Sequence, residues 1–347
     1  MKWISRPLLA LAVTLAPAAA GAVNPASDDS SHGFDYQVGQ WRVQVSRLLD
    51  PLTAAQRWTH YDGTHTVTPL MGGRANIGVL EISGPSGQIE GLQLRLYDAA
   101  TQQWKLSFAN GNDGVIGSPS AGRFENGQGT FYSSEQIAGH DARVRTVATR
   151  LGETIYRDVI SFSTLRDKVW HPMWIATYTR IGDAAAGPVA ETAGNRDFDF
   201  QIGTWRAHLE RLAIRLHGSR TWRDYDGTLT VRRLWNGRAN VGELDVRTGG
   251  DRIVALLVRT YDRRTGQWSD YTANLADGSV EAPPATGRLT NGHGELYDRE
   301  TFDGRPIVVR GVFDKISAQS CRFVQSFSAD GGKTWEPNLI ARFRRLA

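Results

Sequence analysis

The chain is written twice, and that repetition constrains its fold more than any other feature. FDYQVGQWR (34–42) returns as FDFQIGTWR (198–206), an offset of 164 residues that places Trp41 over Trp205. The offset then holds without a gap: Trp58 over Trp222, Tyr61 over Tyr225, Asp62 over Asp226, GGRANIGVL over NGRANVGEL, LRLYDAATQQW over VRTYDRRTGQW. One inserted residue raises it to 165, at which GRFENGQGTFY lies over GRLTNGHGELY and Trp170 over Trp335. A duplicated unit of this length is a domain in itself, so two domains of roughly 150 residues are expected. They span 33–180 and 196–347. Between them 181–195 (IGDAAAGPVAETAGN) is rich in Ala and Gly and carries no periodic pattern, the mark of a linker.

Each copy is a succession of short runs rich in aromatic and β-branched residues, separated by DG, NG and GG turns, about ten runs per copy. Few windows show a 3.6-residue apolar repeat, and the linker alanines are the only modest helix candidate. Sequential strands joined by short turns suit an up-and-down antiparallel barrel, which closes on itself and leaves no edge exposed. The expected fold is therefore all-β, with two tandem barrels of about eight to ten strands each.

The chain opens on MKWISRPLLALAVTLAPAAAGA. Lys2 and Arg6 precede a short apolar stretch and small residues, which predicts a cleaved signal peptide over 1–22 and a polar leader over 23–32. The expected location is periplasmic or secreted. The single cysteine, Cys321, rules out an internal disulfide, so packed cores must supply the stability. No later apolar run is long enough to cross a membrane as a helix. The net charge is +4, but the arginines are interspersed with carboxylates, which argues for a solvated mixed surface and against nucleic acid.

Gly39-Gln40-Trp41 and Gly203-Thr204-Trp205 fall on the first strand of each copy, and Arg180 and Arg345 near the end of the last. This G-x-W with a terminal-strand Arg resembles lipocalin-like (calycin) barrels. The resemblance implies a closed floor in which the guanidinium covers the indole, a contact of roughly 0.5–2 kcal/mol. The patterns FDFxxGxW, RxYDxxTxxW and SxDGGxTWExN are also similar to those of an uncharacterised bacterial family of such domains. The first copy departs at the last motif, and the second has Leu339 where that family often has Trp.

SADGGKTW (328–335) fits the Asp-box pattern of secreted β proteins. Asp330 is expected to accept backbone N–H groups of its own turn, and Gly332 to take a positive φ, so the motif is read as a hairpin stabiliser. His60 and His65, five apart, point to opposite faces, and no Cys/His set has ligand spacing; neither metal nor cofactor is implied, though His171 is a possible haem contact. Cys321 is matched by Tyr156 and reads as a small packed residue.

The shared charged positions are the candidate site. Arg95 and Tyr97 repeat as Arg259 and Tyr261; Arg145, as Arg310, interrupts an apolar strand on an expected inward face; Asp62, Glu135 and their counterparts Asp226 and Glu300 recur. Either these form internal salt bridges or they line a pocket for an anionic or carbonyl-bearing ligand. Trp104 and Trp268, with Tyr132 and Tyr297, would supply the apolar wall. Three roles follow: a small-molecule binding module for a hydrophobic or amphipathic ligand, a hydratase-, cyclase- or isomerase-like enzyme using carboxylate and Arg in the C-terminal copy, or an envelope scaffold.

Overall fold

The computed structural model describes residues 30–53, 55–164, 169–183 and 196–346. The expected signal peptide lies outside them, as do most of the leader and of the linker. Among the described residues no helix is long and apolar enough to cross a membrane. The chain divides into two compact units, one per repeat.

The first unit is a closed barrel of ten antiparallel strands in sequence order: β1 (Gly39–Leu48), β2 (Trp58–Leu70), β3 (Ala75–Gly84), β4 (Gly87–Asp98), β5 (Gln103–Asn110), β6 (Ser120–Glu125), β7 (Gln128–Ile137), β8 (His140–Arg150), β9 (Ile155–Thr164) and β10 (His171–Gly182), with β10 returning to pair with β1. The second repeats it with β11 (Gly203–Leu212), β12 (Trp222–Leu234), β13 (Ala239–Thr248), β14 (Asp251–Asp262), β15 (Gln267–Asn274), the two-residue β16 (Ser279–Val280), β17 (Ala285–Thr290), β18 (His293–Phe302), β19 (Arg305–Asp314), β20 (Ser320–Ser328) and β21 (Glu336–Arg345). Pairings of β11 with β21 and of β14 with β15 close it.

The FDF segments do not join the sheets. Asp35–Gln37 and Asp199–Gln201 are 3-10 helices lying before β1 and β11. The first aromatic of each, Phe34 or Phe198, is buried edge-on against Trp104 or Trp268 at about 5 Å. The helix carbonyls then meet two donors. Trp205 Nε1 donates to the Gln201 carbonyl at 2.7 Å, and Arg345 donates to the carbonyls of Phe200 (2.8 Å), Ile202 (2.7 Å) and Ala318 (2.8 Å). Its guanidinium lies 4.2 Å from the Trp205 ring centroid. In the first barrel Arg180 covers Trp41 at 4.7 Å and donates to the Val38 carbonyl at 2.7 Å.

The glycine of G-x-W is explained by this contact. A Cβ on Gly203 would stand 2.6 Å from Arg345 Nη1, and one on Gly39 would stand 2.5 Å from Arg180 Nη1; both glycines also have strongly positive φ, +116° and +137°. The RxYDxxTxxW motif resolves likewise into local tasks. Asp98 and Asp262 accept backbone N–H groups of the hairpin that follows (Ala100 at 3.0 Å, Arg264 at 2.7 Å), and the closing Trp packs on the FDF aromatic.

The Asp-box turn is built from its own donors. Asp330 accepts Lys333 N at 3.0 Å, Thr334 N at 2.9 Å and the Thr334 hydroxyl at 2.6 Å, which hold its carboxyl well below the usual carboxylate range. Gly331 and Gly332 both have positive φ.

Gly203→Ala and Gly39→Ala are each expected to destabilise their own barrel by about 2–3 kcal/mol, because the residue must leave its glycine-only conformation and displace the guanidinium. Gly72→Ala, at φ +67° with open space around it, is the control and should cost about 1 kcal/mol. Thermal unfolding followed by tryptophan fluorescence decides; equal losses at Gly203 and Gly72 would refute the steric account.

Candidate functional site

Because β-strand side chains alternate between faces, the register places each candidate. Arg95 on β4 and Arg259 on β14 are buried, 2% exposed each. Arg310 and Arg145 are not inward, which corrects the sequence expectation. On β19 the inward series is Ile307, Val309, Gly311 and Phe313; Arg310 stands between them on the outer wall, paired across the ladder with Tyr297 and stacked on Trp335 at 4.4 Å. Arg145 stacks on Trp170 at 4.5 Å in the same way. An outer wall covered by an indole looks as apolar in sequence as an inner one, which is why the parity was misread. The Asp-box turn thus sets Trp335 on the outside of the barrel.

Other candidates also leave the interior. Asp62 and Asp226 are exposed, contacted by Gln44 and His208 respectively. Glu135 is exposed and accepts the Ser133 hydroxyl. Tyr132 and Tyr297 lie on the outer face with Arg145 and Arg310 opposite them in the ladder. Trp104 and Trp268 are fully buried against the FDF aromatics, with Tyr97 and Tyr261 beside them, so they serve the floor and not a pocket wall.

The interior of the first barrel is filled with rings. Tyr156 and Tyr178 stack at 4.1 Å, Trp41 stands edge-on to Tyr156 at 4.7 Å, and His65 Nδ1 is 3.1 Å from the Tyr156 hydroxyl. Burial drives the His65 pKa well down, so the ring is neutral. Phe108 lies across Gly91, where a Cβ would come within 2.3 Å of its ring. His171 packs on Phe162 at 5.5 Å.

The second barrel differs in just these places. Cys321 replaces Tyr156, Phe343 replaces Tyr178, Leu229 replaces His65, Leu339 replaces Trp174 and Thr272 replaces Phe108. A chamber of about 230 Å³ lies inside this barrel, walled by Leu209, Leu244, Leu257, Phe323, Leu339 and Phe343 among others; of the exchanged positions Thr272, Leu339 and Phe343 line it. Of the sequence-stated candidates, Arg259 and Glu300 line it. Cys321 is buried, and burial pushes its thiol up to about 12, as befits packing and not nucleophilic use.

Arg259 is committed. Its Nε donates to Asp270 Oδ2 at 3.0 Å, its Nη1 to Gln201 Oε1 at 2.7 Å, and its face lies between Phe198 and Phe313 at 4.9 and 5.2 Å. Arg95 in the first barrel has no acid at the matching place, which is Leu106. It donates to Asn76 Oδ1 at 2.9 Å and Gln93 Oε1 at 2.6 Å, and the buried carboxyl near it is Asp158 on β9. Burial raises Asp158 to about 7, against the lowering pull of Arg95. Neither Asp158 nor Asp270 was found from sequence, because each is absent from the other copy.

The chamber has a second polar end. Glu281, Asp298 and Glu300 line it with Arg211 and Arg215, the latter seated over Phe302 at 5.0 Å. Burial, then the neighbouring Asp298 and Glu281 carboxylates, raise Glu300 to about 7; Asp298 and Glu281 are also raised, mainly by burial. Asn338 on β21 lines the same space at 1% exposure, with neither amide atom hydrogen-bonded. Among the described residues one trio, His208, Glu210 and Asp224, gathers metal-type ligand atoms, but Glu210 is already paired with Arg342 and His208 with Asp226.

No family model and no curated protein matches the chain. Several solved structures resemble it, three of them as follows. A protein of unknown function of the DUF3598 family from Nostoc punctiforme is 12% identical, with 92% of this chain and 100% of that one covered and a TM-score of 0.26. The S-type phycobiliprotein lyase of Guillardia theta is 13% identical over 46% of this chain and 99% of its own, with a TM-score of 0.33. The protein EF1p2_mFAP2b bound to DFHBI is 9% identical over 44% and 99%, at 0.25. At these scores the likenesses carry no functional argument.

A carboxyl raised in the folded state holds its proton more tightly there, so its contribution to stability is whole below about 4.5 and is lost as pH rises through about 7. The C-terminal barrel is therefore expected to melt at lower temperature at about pH 8 than at about pH 5, and Glu300→Gln to flatten that dependence. A Glu300→Gln melting curve that tracks the parent across this range would remove Glu300 as its source.

Proposed function

We propose that the protein is an exported small-molecule binding protein in which the C-terminal barrel holds an apolar or amphipathic ligand and the N-terminal barrel is a filled structural homologue. The observation that carries this reading is the roughly 230 Å³ chamber, open where the second copy exchanges Trp174 for Leu339 and Phe108 for Thr272. Apolar walls with a few convergent polar groups are the usual make-up of a ligand pocket. Export, to a periplasmic or extracellular location, rests on the leader sequence.

The neutral fluorescent probe N-phenyl-1-naphthylamine tests it. Saturable binding is expected, weakened at least about tenfold by Leu339→Trp, which restores the ring of the first copy, and by Leu257→Phe on β14. Melting curves of both variants verify that the barrel still folds. Probe binding that is absent, or indifferent to both substitutions, would overturn the reading.

An acid–base enzyme acting on an apolar substrate is favoured by one observation, the Glu300 carboxyl held at about 7 in the same chamber as Arg211 and Arg215 as well as Arg259. That reading requires a molecule that is turned over, with turnover lost and binding kept in Glu300→Gln.

A further inference from the structure

β21 does not run in even register against β20. Leu339 pairs with Gln325 but Pro337 pairs with Ser326, so Asn338 is the extra residue of a β-bulge. Bulges re-aim side chains, and this one turns an amide toward the chamber. The amide is 1% exposed, and neither its oxygen nor its nitrogen meets a protein partner. A buried amide without partners is costly, and a ligand presenting one acceptor and one donor relieves both halves at once. The equivalent bulge in the first barrel, between Pro172 and Trp174, carries Met173, which has nothing to satisfy.

The other charges in the chamber argue against an ionic head. Arg259 is neutralised by Asp270 and hydrogen-bonded to Gln201, so the guanidinium that the sequence offered to an anion is already taken. Arg211 and Arg215 share the chamber with Glu281, Asp298 and Glu300, so a carboxylate head finds acids beside the arginines and an ammonium head finds arginines beside the acids. Asp270 Oδ1, which also has no partner, adds a second acceptor for a ligand N–H or O–H.

We infer that the C-terminal chamber takes an uncharged amphipathic molecule with adjacent hydrogen-bond donor and acceptor, of the carboxamide or lactam type, and reads that pair with Asn338. The inference rests on the chamber reading above and specifies its ligand class. Decanamide, decanoate and decylamine share a chain length that fits the chamber and differ only in the head group, which makes them the probes.

Each competes for bound N-phenyl-1-naphthylamine on the full chain at neutral pH. Decanamide is expected to displace it at least about tenfold more effectively than either charged analogue. Asn338→Leu should abolish that preference, read as the ratio of decanamide to decanoate competition within the same protein, and Asn338→Gln should recover part of it. Decanoate or decylamine competing best, or an Asn338→Leu protein that keeps the decanamide preference, would overturn the assignment while leaving the chamber reading intact. Failure of the naphthylamine itself to bind the parent protein removes the chamber reading instead.

Discussion

Each barrel depends on a guanidinium laid over an indole at one end. The contact does more than add cation–π attraction of about 1–2 kcal/mol. A 3-10 turn crosses below the first strand, and its carbonyls would be left without partners where they are turned away from water. Arg345 donates to the carbonyls of Phe200 and Ile202, and Trp205 to that of Gln201, so one cation and one indole satisfy the whole turn. Unpaired, each such group costs about 1–3 kcal/mol. The requirement runs outward to Gly203, whose absent Cβ leaves room for Arg345, and to Phe198, which the turn presses onto Trp268. The first barrel repeats the cation–indole contact, with Trp41 donating to the Gln37 carbonyl and Arg180 to that of Val38, and the differences that bear on the interior lie above this floor.

Immediately above the floor the two halves have solved one problem in two ways. Each buries an arginine on its fourth strand, and a buried guanidinium needs a counter-charge close by. In the second barrel Asp270 on the next strand supplies it, in direct contact with Arg259. In the first, that strand carries Leu106; Asn76 and Gln93 take the Arg95 hydrogen bonds, and the acid that interacts with it is Asp158 on β9, where the second barrel has Phe323. Exchanging the acid from one strand to another also exchanges where bulk sits. Phe323 becomes chamber wall, and Asp270 leaves one oxygen facing inward.

The repeat, the ten-run rhythm and the G-x-W with its distant Arg were legible in the sequence because they depend on local turn chemistry and on residues present in both copies. The interior was legible only in part. Arg259 and Glu300 do face the chamber, but Arg310 and Arg145 do not, since the outer wall around them is itself made apolar by Trp335 and Trp170 and the alternation was hidden. Asp158 and Asp270 were passed over for a different reason. Looking for what the copies share finds the scaffold, and these residues are where the copies differ.

That difference also underlies the proposed function. The substitutions that fill the first barrel are single-residue changes available to the second, since the same chain already carries them at matching positions: Trp174 for Leu339, Tyr178 for Phe343. Better-filled cores are more stable, and loss of volume is paid in stability unless something else occupies the space. The first barrel has placed rings against its floor and buried an ionisable Asp158 behind them. The second has moved its acid into direct contact with Arg259 and thinned its rings on the opposite wall. It has also set an unpartnered amide on a bulge beside the opening. A barrel drifting without a task would lose volume at scattered sites. Here Thr272, Leu339, the bulge with its Asn338 amide and the half-paired Asp270 adjoin one space, which is the arrangement the proposed ligand would use.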